Sequence, residues 1–114
     1  MYLCTAWFMK IVMNEELRKL IEEGYSKRYL EITRNKKLYD GLIRAYSIME
    51  SIETVEQLGN YSFLHYERLR YQYSGLSSVR LSNGFIHRLI FSEENDKITL
   101  KLIEIDNTHY GNKK

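Results

Sequence analysis

Apolar side chains recur at Leu38, Leu42, Ala45, Met49 and Ile52, a four-three-four-three spacing that keeps them on one stripe of a helix. A shorter helix is predicted over 14–23. Asn14 stands at its N-cap, Glu15 and Glu16 suit the positive end of the dipole, Leu17, Leu20 and Ile21 share one face, and Gly24 closes it. Between the two helices a loop carries Lys27, Arg28 and Arg34, and after them Thr54 and Gln57 have capping-box spacing with Gly59 beyond, which predicts one extra turn. From Phe63 the pattern changes to strand-like runs at 63–69, 77–82, 85–92 and 97–106, rich in aromatic and branched residues, and these predict an antiparallel meander. Met9-Lys10-Ile11-Val12 reads as an opening strand.

Ser82-Asn83-Gly84 is a turn signal whose effective length sets the register of the strands on either side. A two-residue loop pairs Leu81 with Ile86 and Arg80 with His87. A three-residue loop, with Gly84 left-handed, pairs Leu81 with Phe85 and Ser78 with Arg88. The second gathers Val79, Leu81, Phe85, Leu89 and Phe91 on one face and Ser78, Arg80, Ile86, Arg88 and Ile90 on the other. It separates apolar from cationic side chains better and is the register expected. Arg80 and Arg88 then project together from the face opposite the helices, a candidate anion site.

Composition narrows the class. With 114 residues, 44% apolar and 28% charged, the chain has the makeup of one globular domain, and a formal charge of +2 permits an anionic partner without requiring one. Proline is absent and no repeat or low-complexity run marks an internal boundary. Cys4 is the only cysteine, so neither an internal disulfide nor a Cys-rich zinc site is available, and a reducing cytoplasm fits best. Residues 1–13 are apolar but interrupted by Thr5 and Lys10, shorter than a membrane span and without a leading basic region, so no membrane association is expected. Two starts stay open, Met1 and Met9, the second of which makes 1–8 an N-terminal extension; 9–110 is the expected domain and 111–114 a tail.

Within 60–92 four arginines, Arg68, Arg70, Arg80 and Arg88, face a single acidic residue, Glu67. Guanidinium groups offer paired donors and permanent charge to phosphate, although a solvated strand face with local ion pairs has the same composition. Tyr66, Tyr71 and Tyr73 interleave with Arg68 and Arg70, the mixture that stacking on single-stranded bases needs, and tyrosine is also an ordinary strand former. His87 falls on the helix-covered face in the expected register and reads as a core or edge histidine, His65 fits either role, and His109 is by position alone a tail residue. Beside a phosphate clamp its imidazole would be suited to moving protons. The histidines lack metal-ligand spacing, and no phosphate loop, nucleophilic-serine elbow or His-Glu-x-x-His is present, so neither metal nor cofactor is expected.

Leu64-His65-Tyr66-Glu67-Arg68-Leu69-Arg70, Gly75-Leu76-Ser77-Ser78-Val79-Arg80-Leu81-Ser82-Asn83, His87-Arg88-Leu89-Ile90-Phe91 and the closing His109-Tyr110, taken in this order, resemble the RelE/ParE superfamily of toxin–antitoxin toxins in its HigB-like (plasmid maintenance killer) branch. The resemblance implies a small α+β domain in which two N-terminal helices cover one face of an antiparallel sheet of four to five strands, with a concave RNA site on the other. It implies a metal-independent endoribonuclease that cuts mRNA on the ribosome and arrests translation. Its implied partner is a HigA-like helix-turn-helix antitoxin, and the complex of the two would bind operator DNA. Arg80 and Arg88 match the arginines that grip the scissile phosphate, His109 the terminal acid or base, and Tyr110 a residue that orients or stacks on a base. Arg68, Arg70, Tyr71 and Tyr73 fall where further RNA contacts are expected. Where relatives have Lys-Gly-x-Lys-Lys-Gly this chain has Arg70-Tyr71-Gln72-Tyr73-Ser74-Gly75, which implies weaker phosphate contact unless the tyrosines compensate. Two other readings stay open: a non-catalytic inhibitor of DNA gyrase of the ParE kind, and a degenerate toxin that only binds its antitoxin.

Overall fold

In the computed structural model, which describes residues 9–70, 75–94 and 99–107, both expected helices form where their stripes and caps place them. Strand β1 (Lys10–Met13) leads into α1 (Glu15–Glu23), whose N-cap Asn14 accepts from Leu17 N at 2.9 Å and whose C-cap is Gly24. The stripe from Leu38 to Met49 lies on α3 (Lys36–Ser51), with Ile52 at its C-cap, and is buried along its whole length. Asn35 opens that helix, its side chain accepting from Leu38 N at 3.2 Å. The loop between them holds a single short helix, α2 (Leu30–Thr33), which sends Ile32 into the core. Thr54 and Gln57 form the expected capped turn, here a 3-10 helix over Val55–Asn60.

The remaining chain builds β2 (Glu67–Arg68), β3 (Leu76–Arg80), β4 (Arg88–Glu94) and β5 (Thr99–Asp106), in the spatial order β1-β5-β4-β3-β2. The meander is antiparallel, as expected, whereas β1 joins the edge of β5 in parallel. A parallel partner needs a crossover, and α1 to α3 provide it between β1 and the meander. Leu17, Leu20, Leu38, Leu42 and Met49 meet Val79, Leu89, Phe91, Leu100 and Leu102 in one core on the helix side of the sheet. The α+β class expected from sequence is thus the one found, with a five-stranded sheet. Among the described residues no helix is long and apolar enough to cross a membrane. The expected extension 1–8 and tail 111–114 lie outside the described residues.

Two local expectations are corrected. The run 63–69 is not one strand. Ser62–Leu64 is a 3-10 turn, His65 follows in the left-handed region (φ 48°, ψ 50°), and only Glu67–Arg68 pair with β3. Leu64 is buried in the core, and the turn that delivers it there overrides the strand propensity of its aromatic neighbours. The hairpin also differs: Arg80 pairs with Arg88 and Ser78 with Ile90, so the connection runs from Leu81 to His87, with Gly84 at φ +87°. The cause is α3. A Cβ on Gly41 would lie 1.8 Å from the Leu81 carbonyl oxygen, so helix and strand end meet backbone to backbone, and Leu81 is held against α3 instead of continuing a tight hairpin. The register moves by two residues, which leaves the side chains of β3 and β4 on their expected faces, while Phe85 and Ile86 fall in the connection.

Candidate anion site on the open sheet face

Alternation along β3 and β4 sends Val79, Leu89 and Phe91 into the core and leaves Ser78, Arg80, Arg88 and Ile90 on the face turned away from the helices. Arg80 and Arg88 are direct cross-strand partners. Like charges in that position repel, and burial aggravates the cost. Arg88 is only 11% exposed, and burial, with the Arg80 charge adding to it, holds its guanidinium below the ordinary arginine value against the opposing pull of Glu67. Three neighbours fix it. Arg88 Nε donates to Ser78 Oγ at 2.7 Å, its Nη2 donates to the His65 carbonyl at 2.6 Å, and Glu67 Oε2 lies 4.0 Å from the same nitrogen. Arg80 Nε is buried with no hydrogen-bond partner among the described residues. Two cations pressed together, one of them with an idle buried donor, form a site whose unmet requirement is an anion with several acceptor oxygens.

His65 is the only described non-glycine residue at positive φ, and that conformation aims its carbonyl at Arg88. Neither this backbone role nor the place of Glu67, the partner of Ser78 across β2 and β3, is legible from sequence, because the signal for β2 is two residues long.

Arg68 is not brought to this pair. It is the cross-strand partner of Ser77, on the helix side, where Nη2 reaches Glu93 Oε1 at 3.4 Å and Glu56 Oε2 at 3.5 Å. Glu93 also accepts from Tyr66 Oη at 2.9 Å and Ser77 Oγ at 3.0 Å, so Arg68 belongs to a network that ties β2 to the 3-10 turn. Arg70 is exposed just beyond β2. Tyr71, Tyr73, His109 and Tyr110 lie outside the described residues. Asp106 is the Cα partner of Arg88, so the chain leaves β5 beside the arginine pair. Among the described residues no group of three His, Cys, Asp or Glu side chains gathers as metal ligands would.

Comparison with solved structures finds this helix-backed sheet among RelE/ParE-like toxin folds. The YoeB/ParE toxin from Agrobacterium tumefaciens superposes with a TM-score of 0.54 at 14% identity, covering 88% of this chain and 99% of its own. The YoeB dimer structure from Staphylococcus aureus gives a TM-score of 0.48 at 17% identity, covering 90% of this chain and 98% of its own, and YafQ from E. coli strain BL21(DE3) gives 0.47 at 12%, covering 88% and 93%. No protein-family model matches the sequence, and no curated protein does.

Proposed function

We propose that the chain is the toxin of a type II toxin–antitoxin system, of the HigB-like kind that its motifs resemble, and that it cuts mRNA on the ribosome in the cytoplasm. The direct pairing of Arg80 with Arg88 on the open face carries this reading. In it, the two guanidiniums hold the scissile phosphate and take up the charge that develops on its oxygens. The ribose 2′-hydroxyl attacks the neighbouring phosphorus, and the bond from phosphorus to the 5′ oxygen breaks. A 2′,3′-cyclic phosphate and a 5′-hydroxyl remain. Glu67, on the same face as Arg88, is the carboxylate positioned to take the 2′ proton, and His109 protonates the departing oxygen. Support for His109 is its place in the sequence, three residues after Asp106, the strand partner of Arg88. Tyr110 stacks on a base beside it. Arg70, Tyr71 and Tyr73 contact the incoming strand, and Arg68 acts one step back by anchoring β2. A HigA-like helix-turn-helix antitoxin is the proposed inhibitor, and the pair of proteins is proposed to bind operator DNA.

Controlled expression of the chain, with transcript ends mapped, tests this. Cleavage within translated messages is expected, lost in Arg88→Ala and His109→Ala. Cleavage unchanged by His109→Ala would remove that residue from the mechanism. Growth arrest with DNA damage and intact transcripts would replace the nuclease with a gyrase inhibitor, and no arrest at all would leave an antitoxin-binding module.

A further inference from the structure

The end of the sheet that carries Arg88 is also held from its other side. Strand β4 begins at Arg88 and β5 ends at Asp106, and the two are cross-strand partners, so His87 and Asn107 are the residues just outside the pair. Their side chains meet α2 instead of the arginine face, as alternation from Arg88 and Asp106 requires. One atom of α2 receives both: Glu31 Oε1 lies 3.1 Å from His87 Nε2 and 3.4 Å from Asn107 Nδ2. A single carboxylate oxygen thus closes a bridge across the ends of β4 and β5.

Three features separate this bridge from an ordinary surface contact. His87 is only 6% exposed, and a buried imidazole is a cost to the fold that an apolar side chain would avoid, unless it fixes a geometry. Its backbone is held as well: the His87 carbonyl accepts from Leu81 N at 3.2 Å, and Leu81 is the residue pressed against Gly41 of α3. The neighbours of Glu31 repeat the pattern. Arg28 Nη2 reaches Glu104 Oε1 at 3.4 Å and the Tyr29 hydroxyl hydrogen-bonds the Ile105 backbone, so residues 28, 29 and 31 engage 104, 105 and 107 in order along β5. With one side chain, Ile32, in the core, α2 is seated on the sheet end largely by these polar contacts. The hydrogen bond from His87 above all holds the Glu31 carboxyl below the ordinary glutamate value. An imidazole protonated on Nε2 donates whether or not the ring is charged, so the bridge does not depend on the charge of His87.

On the open face Ser78 and the His65 carbonyl hold the Arg88 guanidinium, and behind it the bridge holds the backbone from which that side chain starts. We propose that Glu31 is a positioning residue for the arginine site: by tying His87 to Asn107 it sets the separation of the β4 and β5 ends, and with it the aim of Arg88 at the scissile phosphate. The effect on cleavage rests on the nuclease reading; the hold on Arg88 does not. A displacement of about 1 Å can cost up to about a hundredfold in rate, so a group that never touches RNA can govern kcat.

The test measures cleavage of a defined message on purified ribosomes by the full chain, and follows the Arg88 Nε–H resonance by NMR. In Glu31→Ala, kcat should fall by about tenfold with KM changed by less than about twofold, and the Arg88 resonance should move. Glu31→Gln keeps an acceptor oxygen and should restore kcat and resonance together. Asn107→Ala removes one arm of the bridge from an exposed residue. It should give a smaller loss of the same kind, and it carries the comparison if Glu31→Ala does not fold. An unmoved Arg88 resonance in the folded variant would overturn the proposal, as would an unchanged kcat where the parent cleaves. So would a rise in KM, which would put Glu31 in contact with RNA, and a loss of kcat that Glu31→Gln does not restore, which would make the carboxylate charge the active feature. A parent chain that cuts no message, with the Arg88 resonance still moved by Glu31→Ala, would uphold the bridge and overturn the nuclease.

Discussion

Arg88 takes its position from three segments that meet only in the folded chain: its own strand, Ser78 on β3 and the carbonyl of His65. Such anchoring has a thermodynamic consequence. A buried cation beside a like charge is a burden on the folded state, so Arg88→Met should leave stability unchanged or raise it, by up to about 1 kcal/mol or roughly 4 °C in Tm, while abolishing RNA cleavage. Thermal melts alongside transcript mapping check both halves, and a marked loss of stability would show that the arginine is structural. His65→Gly tests the neighbouring strain in the same way. Glycine takes φ 48° freely, so a gain of about 1 kcal/mol in chemical denaturation is expected if the ring adds no packing. The shared face of Arg80 and Arg88 was legible in sequence even though the pairing partners were not. Alternation fixes only the parity of a strand, and a two-residue slip preserves parity. Positive φ at His65 left no such trace, because histidine does not announce it as glycine would.

Helix boundaries were legible because their caps are local chemistry. Asn14 satisfies Leu17 N and also donates to the Ile103 carbonyl at 3.1 Å, coupling α1 to β5. Asn14→Ala is accordingly expected to cost about 1–2 kcal/mol, measured by urea denaturation. Gly41 is the opposite case. Within the stripe of α3 it looks like a weak helix former, and nothing in the chain indicates that the Leu81 carbonyl will press against it. Gly41→Ala should gain helix propensity yet lose about 2–4 kcal/mol overall, because the added methyl drives α3 away from the end of β3. An alanine variant as stable as the parent would refute that contact. The misread 63–69 run has the same origin: aromatic residues that suit a pleated strand also suit a turn, and the demand that Leu64 reach the core decides between them.

At the scale of the whole molecule, burial pushes the hydroxyls of Tyr29 and Tyr66 above the ordinary tyrosine value. The unfolded chain ionises first, so stability is intact below pH of about 10 and falls as pH rises through the folded values. Alkaline denaturation should begin there, and the Tyr29→Phe, Tyr66→Phe double variant should show a smaller loss. Charge is distributed unevenly in its effects as well. Because Arg68 already meets Glu56 and Glu93, Arg68→Ala should leave the salt dependence of RNA binding nearly unchanged, whereas Arg80→Ala should reduce the slope by about 0.7. The parallel pairing of β1 with β5 has a practical outcome. Lys10 sits beside Thr99, at the opposite end of β5 from Asp106, roughly 25 Å away along the strand. A fluorescent reporter fused directly ahead of β1 is therefore remote from the arginines, while one joined directly after Asp106 starts beside them, and only the second arrangement is expected to mask the arginine pair by crowding.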